Sequence, residues 1–63
     1  MDRYAAEVYR IKKTLKANPR GMTILNLSKE LNIGRNAVAK YLDLLLVSGQ
    51  VEMESVGPAK LYF

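Results

Sequence analysis

The chain has 63 residues, 49% of them hydrophobic, with ten basic against six acidic side chains and a net charge of +4. That length sets a single small domain, residues 1–63, which buries only about 60% of the surface its unfolded chain exposes. With no cysteine and no histidine, a disulfide framework and a Cys/His zinc site are excluded, and no apolar run approaches the roughly 20 residues that span a bilayer.

Residues 2–17 predict an amphipathic helix. Asp2 is placed to cap its N-terminus, and Tyr4, Val8, Ile11 and Leu15 recur at helical spacing on one stripe. Lys13 and Lys16 lie off that stripe and suit the negative end of the helix dipole, while Tyr9 falls roughly opposite it. Asn18-Pro19-Arg20-Gly21 stops the helix, because Pro19 holds Asn18 extended and Gly21 permits a sharp turn.

Thr23 is a natural N-cap for a second helix over 24–31, and Met22-Thr23 suits a very short strand. Ile24, Leu27 and Leu31 form the buried face, with small Ser28 between them where another helix can approach closely. Asn32 and Gly34 bracket Ile33 in a tight turn, since both tolerate positive φ.

The third helix is expected over 35–48, with Gly49 as its stop. Val38, Leu42 and Leu45 share a stripe flanked by Tyr41 and Leu46. Asn36 and Lys40 lie opposite near the start, with small Ala37 and Ala39 beside them. Leu44 and Val47 widen the apolar surface later, which predicts a helix half exposed at its beginning and more fully covered at its end.

The tail reads as a β-hairpin over about 50–63. Val51-Glu52-Met53-Glu54 alternates apolar with charged, Val56-Gly57-Pro58-Ala59 is turn material, and Lys60-Leu61-Tyr62-Phe63 returns. A two-stranded hairpin is marginal alone and must pack on the helices. The fold class is therefore α+β, mostly α: three helices and a C-terminal wing, with no second domain, repeat or linker.

Charge is unevenly distributed. Residues 10–40 carry eight basic side chains against Glu30, a net +7, while the segments before and after are net −1 and −2. A central cationic block points to an anionic partner, nucleic acid first and membrane surface second, with solvated helix faces as the plain alternative. The N-terminal Met1-Asp2-Arg3-Tyr4 lacks the basic-then-apolar layout of a signal peptide, so a soluble, cytoplasmic domain without a membrane partner is expected.

Two helices joined by about three residues and followed by a hairpin make a winged helix-turn-helix arrangement. Segments 20–33, RGMTILNLSKELNI, and 35–54, RNAVAKYLDLLLVSGQVEME, resemble the winged helix-turn-helix of prokaryotic, especially archaeal, transcription regulators. The tail Gly57-Pro58-Ala59-Lys60-Leu61-Tyr62-Phe63 resembles the wing of one subgroup, in which such a domain opens larger regulators, often ahead of PAS-type sensor domains. The resemblance covers nearly the whole chain. It implies sequence-specific binding of double-stranded DNA in transcription regulation, with the third helix in the major groove and the wing on adjacent backbone or minor groove. One departure is Gly34, where many relatives place Ser or Thr as helix cap and phosphate ligand.

The residues support this reading on their own chemistry. A helix enters the major groove when its leading turns are exposed and slender. Arg35 suits guanine or phosphate, Asn36 suits bidentate pairing with adenine, and Lys40 suits phosphate or guanine. Ala37 and Ala39 permit close approach and contact with a thymine methyl. Thr23 can present its hydroxyl or a backbone N–H to a phosphate, and Lys60 lies near the wing tip. Arg20, Lys29 and Pro58 are weaker backbone candidates. Each has a plainer alternative: Asn36, Arg35 and Lys40 as a solvated helix face, and Lys12, Lys13 and Lys16 likewise. Tyr4, Tyr41, Tyr62 and Phe63 fall on or beside apolar stripes and are expected in the core rather than as base-stacking platforms.

The competing reading is a protein-interaction or dimerisation module of the same fold, motivated by the acidic wing strand, Leu25, Leu44, Val47 and the outward Tyr9. Single-strand or RNA binding calls for exposed aromatics within the basic block, which the sequence does not place there. An enzyme is not expected, and no cofactor: there is no histidine or cysteine, no glycine-rich phosphate loop, and no base beside Glu52 or Glu54. Since a single module buries only about 600–1,000 Å² on DNA, a homodimer or an attached sensor domain is expected to bring two copies together. The stop at Phe63, directly after a strand begins, is consistent with the N-terminal part of a longer regulator, with a complete small protein as the alternative.

Overall fold

In the computed structural model, which describes residues 3–63, the helices run over Arg3–Lys16 (α1), Ile24–Leu31 (α2) and Arg35–Val47 (α3), followed by strands Met53–Val56 (β1) and Ala59–Tyr62 (β2). This is the α+β, mostly α layout expected of a winged helix. The Asp2 cap lies outside the described residues.

α1 buries Ile11 and Leu15, with Val8 half-buried against them. Asn18 closes the helix twice: its amide side chain donates to the Thr14 carbonyl at 2.8 Å, and its backbone N–H to Leu15 at 3.0 Å. Gly21, at φ 95°, then turns the chain tightly against β2. A Cβ at that position would stand 3.0 Å from Phe63 Cδ1 and 3.1 Å from Leu61 Cβ, so only glycine fits both the dihedral and the space. Met22 pairs with Tyr62 through two 2.9 Å backbone bonds, a single bridge that realises the short strand expected near 22–23.

α2 starts where Thr23 Oγ1 accepts the Asn26 N–H at 3.0 Å, and it buries Leu27 and Leu31. Asn32 ends it in the left-handed region (φ 54°, ψ 45°). Gly34 stands at φ −56°, so the tight turn takes its positive φ from Asn32 alone, contrary to the expectation for Gly34. Ser28 does more than allow close approach. Its carbonyl accepts the Ile33 N–H at 3.2 Å and its hydroxyl donates to the Ile33 carbonyl at 2.6 Å, pinning the turn that aims α3.

α3 buries Val38, Leu42 and Leu45, with Tyr41 and Leu46 packed partly against the core. Its final turns are less covered than expected: Leu45 is buried, but Leu44 is 45% and Val47 90% exposed. Spacing explains this, because Val47 lies on the same outward side as Asn36 and Lys40, and no element covers that side.

The hairpin is antiparallel, pairing Met53 with Tyr62 through to Val56 with Ala59, so the turn is only Gly57-Pro58. Gly57 at φ 59° followed by proline is the type II′ pattern, whose twist suits a two-residue hairpin. The strands are displaced toward the tip relative to the sequence reading, and β1 is exposed along its whole length, Met53 included. Burial is confined to the base, at Val51 and Tyr62, where Glu52 and Phe63 add a pair of backbone bonds of 2.7 and 2.9 Å. A period-2 pattern fixes which residues share a face; here the hairpin extends past the helices, so neither face of its outer half is covered.

One continuous core unites these elements: Ile11, Leu15, Leu27, Leu31, Ile33, Val38, Leu42 and Leu45 from the helical part, closed by Met22, Val51 and Tyr62 at the hairpin base.

Candidate nucleic-acid interface

The helix-turn-helix platform is fixed by packing and by two side-chain hydrogen bonds to its backbone. Leu27, Leu31, Ile33, Val38 and Leu42 are all buried where α2 and α3 meet. Ser28 holds the turn, and Arg10 reaches from α1 to donate to the Leu31 carbonyl at 2.8 Å. A guanidinium at that carbonyl satisfies an orphan acceptor and neutralises the negative end of α2. Arg10 therefore belongs to the scaffold, though its charge counts in the basic block. No sequence signal marks it, since its partner lies 21 residues away.

Opposite the buried stripe of α3, Asn36 and Lys40 are exposed, and neither side chain hydrogen-bonds the rest of the described chain. Arg35 is exposed beside them, and Ala39 is half-buried on the flank. Ala37 departs from the expectation: it is half-buried and packed against the core, because it falls on the side of α3 nearer Tyr41. Gly34 supplies no side-chain cap, and the first backbone N–H bonded at this end is that of Val38, to the Gly34 carbonyl at 3.0 Å. The N–H groups of Arg35, Asn36 and Ala37 precede it, free of intrahelical acceptors and at the positive end of the dipole.

Asp43 adds a carboxylate to this face, which helical spacing alone would have placed there. It is exposed one turn beyond Lys40 on the same outward side. A carboxylate there repels phosphate but can accept from a cytosine amino group, and it confines the cationic surface of α3 to its first two turns.

The other candidates are dispersed. Thr23 is half-buried and engaged as the α2 cap. Pro58 and Lys60 are exposed at the outer end of the hairpin, and Arg20 is exposed in the turn between α1 and α2. Lys29 lines a shallow hollow with Asn18, Gly21 and Asn26, and Glu30 stands beside it.

The cationic block thus divides in space. Arg35 and Lys40 mark α3, whereas Lys12, Lys13 and Lys16 line a separate groove between α1 and the hairpin base. Lys12 donates to Gln50 Oε1 at 2.6 Å. Among the described residues the ion pair is Arg3 with Glu7, at 3.8 Å.

The aromatic rings also separate. Tyr62 is core and Phe63 half-buried, as expected, but Tyr4 is 48% exposed. It stands edge-on to Tyr41, ring centroids 5.3 Å apart at 71°. Tyr41 donates its hydroxyl to Glu7 at 2.5 Å; that bond, aided by desolvation and the carboxylate's charge, raises the phenol above its usual pKa of 10.0. Desolvation raises Tyr62 likewise, with a contribution from Asp43.

Comparison with protein-family models, curated proteins and solved structures finds no match to this chain.

Proposed function

We propose that the domain binds double-stranded DNA sequence-specifically, with the first two turns of α3 in the major groove and the hairpin on flanking backbone or minor groove, and that it serves as a cytoplasmic transcription regulator. The supporting observation is the uncovered start of α3, where Asn36 and Lys40 stand exposed opposite the Val38–Leu42–Leu45 stripe on a platform pinned by Ser28 and Arg10. In this role Asn36 reads a base, Arg35 and Lys40 contact phosphate or guanine, and Ala39 permits close approach. The exposed β1–β2 tip brings Lys60 and Pro58 to neighbouring backbone, while Thr23 contributes chiefly by fixing α2. Ala37 is set aside as a base contact, and Arg20 and Lys29 contribute long-range charge.

A footprint this small calls for two modules acting together, as paired copies or through an attached domain. The test is selection from a random duplex library, repeated with Asn36→Ala. The expected result is an enriched motif in which one position loses its preference in the variant, at a cost of about 1–3 kcal/mol for that base pair. No enrichment, or an unchanged motif in the variant, overturns the assignment.

A further inference from the structure

The outer face of α1 carries a feature that DNA reading at α3 does not use. Two hollows of about 490 and 500 Å³ adjoin along it. One lies between α1 and the hairpin base, floored by Leu15, Val51 and Phe63 and rimmed by Lys12, Lys13 and Lys16. The other lies between α1 and the second half of α3, walled by Tyr4, Val8 and Leu44. Tyr9, Lys12 and Gln50 line both, so the Lys12–Gln50 hydrogen bond forms the saddle between them. Gln50 is fixed from its other end by donating to Ser48 Oγ at 2.9 Å. Tyr9 stands 59% exposed at that saddle.

Charge decides what fits. The exposed ionic side chains of the described part of α1 are all cationic: Arg3, Arg10, Lys12, Lys13 and Lys16. Its one carboxylate, Glu7, is half-buried and engaged by Tyr41 and Arg3. Of these, Lys12, Lys13 and Lys16 line the hollows, where among the described residues no acidic side chain does, and a second copy presenting the same face would set those lysines against their counterparts, so a symmetric pairing here is disfavoured. A duplex has no apolar projection to fill either hollow, and a stacked single strand needs a row of open ring faces, whereas beside Lys13 and Lys16 Tyr9 stands open, Phe63 is half-buried in the floor and Tyr4 lines the other hollow.

We propose that this groove docks an acidic amphipathic helix of a protein partner, its apolar stripe entering the two hollows and its carboxylates meeting Lys12, Lys13 and Lys16. The α1 residues lining the two hollows are offset by about five positions, about 8 Å at 1.5 Å per residue. That offset is spanned by side chains one to two turns apart on a bound helix, the spacing of groove-docked helical anchors. The surface is distinct from Arg35, Asn36 and Lys40, so partner and DNA can be held together, and the inference stands whether or not α3 reads DNA.

The probe is a fluorescent synthetic peptide of about four helical turns, with leucines on one stripe and glutamates flanking them. It is titrated against the 63-residue chain by polarisation and by amide chemical shifts. Saturable binding is expected, with shifts concentrated at Tyr9, Lys12, Lys13, Lys16, Gln50 and Phe63. Lys13→Gln with Lys16→Gln should weaken it about tenfold, as should replacing the peptide's glutamates by lysines or scrambling its stripe. Both lysines are exposed, so the double variant keeps its fold, which an unchanged amide spectrum elsewhere verifies. The proposal is overturned if no binding occurs, if the lysine or scrambled peptide binds equally, or if shifts fall on α3. It also fails if an oligothymidine strand competes more strongly than the peptide, or if sedimentation shows the chain pairing with itself through this face.

Discussion

Thr23 shows how one hydroxyl organises a neighbourhood. By accepting the Asn26 N–H it sets where α2 begins, and with it the depth at which Leu27 and Leu31 enter the core. Thr23→Ala should cost about 1 kcal/mol of stability and Thr23→Ser much less, read from urea midpoints at constant slope. Tyr41 is a second such point. Its proton is held more tightly in the folded chain, chiefly by the bond to Glu7, and Tyr62 is raised by burial. A tyrosine raised in the native state stabilises the fold fully below the unfolded value of about 10 and loses that contribution as pH climbs from there through the folded value. The thermal midpoint should therefore fall as pH rises above about 10, and less steeply in Tyr41→Phe, which cannot ionise at that site. Equal slopes in both proteins would show that the Glu7 bond does not couple to folding.

Among the elements, α3 has to be buried on one side and bare on the other. Leu42 is fully buried between Val38 and Leu45 on the inner stripe. Leu42→Ala leaves a cavity and should cost about 2–5 kcal/mol, a large share of the stability available to a domain this size. Loss of cooperative unfolding by circular dichroism would register it. The bare side tolerates change: Val47 is 90% exposed and contributes no packing. The hairpin behaves as two halves, a base tied to Met22 and a free outer half held by its own ladder and the Gly57-Pro58 turn. The outer half is thus free to reach a neighbouring surface without disturbing the core.

At the scale of the molecule, 36 × 24 × 21 Å across, two of the cationic groups lie on separate surfaces: Arg35 and Lys40 on α3, and Lys12, Lys13 and Lys16 along the α1 groove. If α3 binds DNA as proposed, Lys40→Ala should weaken affinity and flatten the slope of log affinity against log salt by about one. Lys13→Gln should leave that slope nearly unchanged, because Lys13 lines the other groove. Identical losses from both would mean that charge acts without regard to position. Titration across a salt series decides between them.

The sequence by itself determined the elements and most of the core. Thr23 as a cap, Ile11, Leu15, Leu27, Val38 and Leu42 as inward residues, and the exposure of Asn36 and Lys40 follow from capping chemistry and helical period, both local properties of the chain. What covers a face is not local. Only the tertiary structure decided that no element reaches Val47, that the outer hairpin is uncovered, and that Arg10 serves Leu31. Periodicity states which residues share a side, whereas burial depends on whether another element reaches that side. The same limit hid the α1 groove: its walls come from residues near both ends of the chain, brought together when the hairpin base closes on α1.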